Sequence, residues 1–339
     1  MGTSHMAFLS PLIILLALVG CTNSPTHGAV LPLNPVEITE WDVPWEQTRP
    51  RDPFVDQHNR VWFVGQAGDY LAILDPTTSK FTQYPLDPGT GPHNLIVDSK
   101  DQVWYAGNRA AHIGTLDPAT GHITKYAMPN PAADDPHTLV FGKSNEIWFT
   151  VQGGNFVGRL MMNSGHVDLM PLPTPSARPY GIVVDGRQIP WFTEFGTNKL
   201  GTIDINTHAV REIELPRKNA RPRRLAVTSD NAIWYVDYAG GYLGQYLPSK
   251  GSVEEWKAPG EQDARPYGMT VDNQDRIWFV ETGSFPNRLV GFDTKTKKVI
   301  SITPIKSGGG SVRHMFYHQP TQTIWFGTDT NTIARVTLP

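Results

Sequence analysis

Residues 178–207 read RPYGIVVDGRQIPWFTEFGTNKLGTIDINT. One short apolar run opens after Pro179, a second carries Trp191 with an aromatic neighbour, and a third, NKLGTIDI, follows. Polar or glycine-bearing steps separate them, the pattern of short strands joined by tight connections. The unit recurs along the chain. An aliphatic or similar residue, a Trp and an aromatic stand at VWFV (Trp62), VWYA (Trp104), IWFT (Trp148), PWFT (Trp191), IWYV (Trp234), IWFV (Trp278) and IWFG (Trp325). Their spacings are 42, 44, 43, 43, 44 and 47 residues. Eleven residues before each Trp the first run begins, preceded by Pro50, Pro92, Pro136, Pro179, Pro222 and Pro266, with Arg313 in that place in the seventh copy. After an Asp-containing turn, a fourth run such as KFTQYPL or VREIELP closes the unit.

Four strand-like runs in about 44 residues match the blade of a β-propeller. Such a sheet cannot bury both faces alone, so the units must stack around an axis. A helical solenoid would need longer apolar stripes at a period of 3.6, and none is present. The seventh unit stops after its third run, TIARVTLP, while an orphan fourth run, VEITEWDVP, stands at residues 36–44. An N-terminal strand completing the last blade would remove two exposed sheet edges at once. The expected fold is therefore all-β: a seven-bladed β-propeller of four-stranded blades over residues 36–339, with the seven tryptophans between blades.

The formal net charge of −3 offers no basic excess for nucleic acid. At the N-terminus, MAFLSPLIILLALVGC places an apolar stretch too short to span a bilayer directly before Cys21, the only cysteine. Leu18-Val19-Gly20-Cys21 resembles a bacterial lipobox. We expect residues 1–20 to be a lipoprotein-type signal peptide, Cys21 to be lipidated, and residues 21–35 to form a polar tether. The plainer alternative is an ordinary signal peptide. Either way the chain is expected to be exported, periplasmic or anchored at the outer membrane, touching membrane only through Cys21 and acting as a monomer.

In a propeller blade the first strand lies innermost and opens onto one rim of the channel. The residues eleven before each Trp then form a ring: Arg51, His93, His137, Tyr180, Arg223, Tyr267 and His314. All seven can titrate or hydrogen-bond, which a purely structural channel does not require, although wet channels do tolerate polar linings. The ends of the second strands add Glu194, Asp237, Glu281 and Asp329, and Arg178, Arg221, Arg224, Arg265 and Arg313 flank the strand starts. With the last hairpin turning at Thr321-Gln322, His314 is expected opposite Asp329.

The stretch at 178–207 resembles the repeat of the streptogramin lyase (virginiamycin B lyase) family, and the likeness covers all seven repeats and the closing strand. The resemblance implies elimination at the ester bond of a cyclic depsipeptide antibiotic, with a last-blade histidine as base and two carboxylates holding Mg²⁺. By position the base is His314 and one metal ligand is Asp329. Val312, which cannot bind a metal, stands at the other ligand position, and Tyr267 at a further family histidine, so Mg²⁺ would be held poorly unless Glu281 contributes. We accordingly assign catalysis to His314, Tyr267 as acid and Asp329. Ligand binding falls to Arg51, His93, His137, Tyr180, Arg223, Arg313 and Glu281. The same set suits β-elimination of a uronate-containing saccharide, with arginine neutralising the carboxylate. A non-catalytic module holding a small molecule or oligosaccharide at the channel mouth is the rival from another class.

Overall fold

The computed structural model describes residues 1–2, 33–143 and 145–338. The expected signal peptide, the lipidation at Cys21 and most of the tether lie outside these residues. Seven four-stranded antiparallel sheets are present. Six run in chain order, opening with Pro50–Val55, Pro92–Val97, Pro136–Phe141, Pro179–Val184, Pro222–Val227 and Pro266–Val271. In the seventh, Met315–His318, Thr323–Gly327 and Thr332–Thr337 are joined by the N-terminal strand Glu37–Asp42. That strand pairs antiparallel with the last one, Glu37 opposite Thr337 and Asp42 opposite Thr332. The ring is closed as expected. Just upstream, Leu33 bridges Ile302 on the outer strand of blade 6.

Each tryptophan of the repeat lies in a different apolar cluster, and each of the seven clusters draws on two neighbouring blades. Trp62, Trp148, Trp234 and Trp278 are wholly buried. A buried indole N–H needs an acceptor. The residue six before the Trp supplies it in five blades: Asp56 (2.8 Å), Asp98 (3.0 Å), Asp185 (3.2 Å), Thr228 (3.2 Å) and Asp272 (2.9 Å). Asp56 also accepts from the His58 and Arg60 backbone amides, so one carboxylate closes the hairpin turn and satisfies the core. Glycine in the third strand serves the same packing: a Cβ on Gly201 would meet the Phe192 ring at 2.1 Å.

Candidate functional site

What brings polar groups to the axis is a defect in the inner strands. In blades 1 to 6 the pairing of first and second strands slips by one residue just after the strand begins. A bulge of this kind lets two consecutive side chains serve one face. Arg51 and Asp52 both point into the channel, as do Arg223 and Arg224. The Asp52 carboxylate accepts from Arg51 Nε (3.0 Å), Asn94 Nδ2 (3.1 Å) and Arg224 Nη2 (3.3 Å). Arg224 also donates to Thr138 Oγ1 (3.0 Å) and to the Arg313 carbonyl (2.9 Å). Blades 1, 2, 3, 5 and 7 are thus tied across the axis by one buried network. Burial would push the Asp52 carboxyl up, but Arg51 and Arg224 outweigh it and hold the group ionised, well below the ordinary range.

Around this plug stand the seven expected ring residues, and the structure brings them together. The His93 and His137 rings lie 3.4 Å apart between centroids, and His137 and Tyr180 4.1 Å apart. The hydroxyls of Tyr180 and Tyr267 are hydrogen-bonded to each other from opposite sides of blade 5. Burial, reinforced by nearby Arg51 and Arg224, keeps His93 and His137 uncharged, with pKa values well below 6.5. His314 is half-buried, and burial together with Arg224 lowers it to about 4. Tyr267 is raised by burial and by Tyr180, whereas at Tyr180 burial is overcome by Arg223, Arg51 and Arg224, which favour its phenolate.

Arg223 has an unusual setting. Its guanidinium carbon lies 3.8 Å from the Tyr267 ring centroid, 4.4 Å from Phe195, 4.4 Å from Tyr238 and 5.0 Å from Tyr180. Its Nε is buried without an acceptor, and so are Arg51 Nη2, His93 Nδ1 and His314 Nδ1. Four buried polar atoms on ring residues are thus left without a partner, an unusual concentration for one cluster.

Two sequence expectations are corrected here. Met315 pairs with Phe326 and His318 with Thr323, so the last hairpin turns over residues 319–322, centred one residue earlier than Thr321-Gln322, and the register runs toward Gly327 rather than Asp329 as it approaches His314. Asp329 instead engages Arg313 through both oxygens, one at 2.6 Å, and orients no histidine. The second correction concerns Glu281 and its equivalents Glu194 and Asp237. They stand three residues after Trp, opposite the proline of the inner strand, and side chains alternate along a strand. Each is fully buried against its own rim loop rather than facing ligand. Glu281 pairs with Arg288 (2.6 Å) and the Gly260 amide (2.7 Å), and Asp237 with Arg217 (2.6 Å). Glu194 accepts from Thr197 (2.9 Å), with its pKa pushed up to about 7 by burial. The residues that do reach the mouth stand four after Trp: Gln66, which accepts from Arg51 (3.0 Å), and Phe195 and Tyr238 beside Arg223. Sequence reasoning missed Asp52, Asn94, Thr138 and these three. Their signal was a second polar column ten before Trp and a third four after it.

The residues do not fit Mg²⁺. Val312 is buried in an apolar cluster with Ile305 and Met315, and both Asp329 oxygens are held by Arg313. Among the described residues no group of three or more His, Cys, Asp or Glu side chains could hold a metal.

Comparison with known proteins agrees with this architecture. The virginiamycin B lyase from Staphylococcus aureus superposes with a TM-score of 0.81 at 26% identity, over 89% of this chain and 99% of that one. A catalytically inactive histidine-to-alanine variant of the S. aureus enzyme, solved with quinupristin, matches at 25% identity, TM-score 0.81, over 89% and 99% of the two chains. The extracellular domain of a B. thetaiotaomicron one component system shares the fold at 14% identity and a TM-score of 0.70, over 88% of this chain and 39% of that one. No curated protein matches. The family model for virginiamycin B lyases matches residues 36–336, and with nearly the whole propeller covered, the chain belongs to the virginiamycin B lyase family.

Proposed function

We propose that this chain is a carbon–oxygen lyase working at the channel mouth, with His314 as the base of an elimination. One observation carries the reading: His314 on blade 7 is an uncharged, half-buried imidazole, and Arg223 on blade 5, whose Nε has no acceptor, packs on Tyr267 of the blade between them. A neutral imidazole can take a proton from the carbon next to a carbonyl. Arg223 can carry the negative charge that develops on that carbonyl oxygen, in a setting where no other group competes for it. The C–H electron pair becomes the new C=C bond as the β C–O bond breaks. The imidazolium then returns its proton to the leaving oxygen, giving an unsaturated carbonyl group and a carboxylic acid from an ester, or an alcohol from a glycosidic bond, with no water consumed.

In this proposal Tyr267 is not the acid. Its hydroxyl is engaged by Tyr180 and its surface is nearly all covered, so the pair forms a floor beneath Arg223. The Arg313–Asp329 pair steadies the segment that presents His314. No step uses a metal. Family membership supports a cyclic depsipeptide ester as substrate, and the N-terminal sequence supports export with a lipid anchor at Cys21.

The test is incubation of the purified protein with a type B streptogramin and with uronate oligosaccharides, following the absorbance of a new C=C bond. Product is expected with one of these and absent in His314→Ala at an unchanged melting temperature. Arg223→Gln should slow turnover by about 10²–10³-fold, as for removal of one oxyanion donor. Product formation that survives His314→Ala would overturn the assignment. A second reading, a binding module without turnover, is favoured by the Arg224–Asp52 plug that closes the channel under the mouth. It gains if neither substrate is converted but either binds.

A further inference from the structure

Just outside the ring, the residue before the proline that opens each inner strand is arginine on four blades: Arg49, Arg178, Arg221 and Arg265. Arg49, Arg178 and Arg265 are exposed and hold left-handed backbone, with φ of 52°, 53° and 43°. A residue with a Cβ is disfavoured there by about 1–2 kcal/mol, which glycine avoids. Blade 2 does use glycine at this point: Gly91 has φ +52°. A Cβ on it would lie 2.7 Å from Arg109, so the glycine leaves room for an arginine arriving from the next loop. Blade 7 contributes Arg313 one residue later. Only blade 3 departs, with Asp135 turned onto the Gly153 and Gly154 amides.

Cations therefore crown six of seven blades, on a chain whose net charge is negative. Among the described residues no carboxylate pairs with Arg49, Arg109, Arg178 or Arg265. The nearby acid Glu261 lies 3.8 Å from Lys257 instead. Strain kept at three equivalent positions, where glycine would relax the turn, points to a use for the side chains rather than for the fold. Exposed like charges arranged around one rim raise the local concentration of an anion. Within the crown, the half-buried rings of Phe195 and Tyr238 pack against the Arg223 guanidinium, an aromatic and cationic cluster on whose exposed side a sugar ring can seat.

We infer that the mouth is a recognition site for a carboxylate-bearing oligosaccharide, whose acid groups are gripped by the arginine crown while one sugar ring seats at Arg223. The inference rests on reading the mouth as the substrate site and names its substrate class. Guanidinium groups are matched to carboxylates in forked pairs.

Calorimetric titration with a trigalacturonate, a neutral galactose trisaccharide and an oligoglutamate tests it. The uronate should bind, more weakly as salt rises, and the neutral sugar should not. The Arg178→Gln/Arg265→Gln double variant should lose roughly three- to tenfold in uronate affinity, as expected for two rim charges. Its melting temperature should stay unchanged, and Arg49→Gly should weaken binding while raising the melting temperature. Equal binding of the neutral sugar, tighter binding of oligoglutamate, or unchanged affinity in the double variant would overturn it. Uronate binding with neither the uronate nor the depsipeptide converted upholds this inference and sinks the lyase reading. Turnover of a neutral depsipeptide with no uronate binding does the reverse.

Discussion

At the scale of single residues, the decisive contrast is between His314 and Asp52. Both lie in the channel and both respond to Arg51 and Arg224, but with opposite results. The arginines disfavour a charge on the imidazole and favour one on the carboxylate. His314 is therefore already deprotonated at any pH well above about 4. If it is the base, kcat/KM should stay level from pH 7 down to about 5 and fall with a midpoint near 4; a midpoint near the ordinary histidine value of about 6.5 would remove it from that role. Asp52 should matter to folding more than to turnover. Asp52→Ala leaves Arg51 and Arg224 buried without their counter-charge, and the expected loss is about 3–5 kcal/mol in urea unfolding. A loss under 1 kcal/mol would mean that water, not Asp52, balances these arginines. His314 could be read from spacing alone, since all seven ring residues keep a fixed distance to their Trp. Asp52 carried only the weaker signal of a polar column ten before Trp, because a strand without a bulge would turn it away from the axis and spacing does not mark where the bulge falls.

At the scale of elements, the blade is held by a device repeated at hairpin turns. Asp272 accepts from the Gln274 and Arg276 amides, Arg276 Nε and the Trp278 indole. Replacing it by Ala strands a buried indole N–H and opens the turn, an expected loss of about 2–3 kcal/mol. The same change at Thr228, which serves Trp234 in blade 5, should cost less, because its partner set is smaller. Equal losses at both sites would show that the indole bond alone sets the cost. The strands themselves were plain in the sequence, since apolar runs and turn residues alternate at blade length. Their exact phase at the rim was not. Glu281 and Thr282 are neighbours in the sequence, yet one is buried against Arg288 and the other lies at the mouth position, and only cross-strand register decides which is which. Centring the last hairpin one residue too late likewise gave His314 a partner it does not have.

At the scale of the whole molecule, closing the ring concentrates titratable groups in a space that water enters poorly, which makes stability depend on pH. Closure itself was legible, because a missing fourth strand at one end matched an extra one at the other. How the enclosed groups offset one another was not, since it depends on distances across the axis. His93, His137 and His314 have folded pKa values depressed below the unfolded value of about 6.5, so on acidification the unfolded chain takes up protons first. By pH 5 His314 therefore lowers stability by about 2 kcal/mol relative to pH 7, and His93 and His137 act in the same direction. Glu194 works with the opposite sign. Its folded pKa is raised to about 7, so the unfolded chain ionises first as pH rises above about 4.5, and the native state loses stability up to pH 7. Three histidines oppose one such glutamate, so unfolding free energy should rise from pH 5 to pH 7. The His93→Gln/His137→Gln variant should flatten or reverse that rise, and Glu194→Gln should steepen it. A wild-type profile that is flat, together with no change in either variant, would mean that the channel takes up protons as freely as the unfolded chain does.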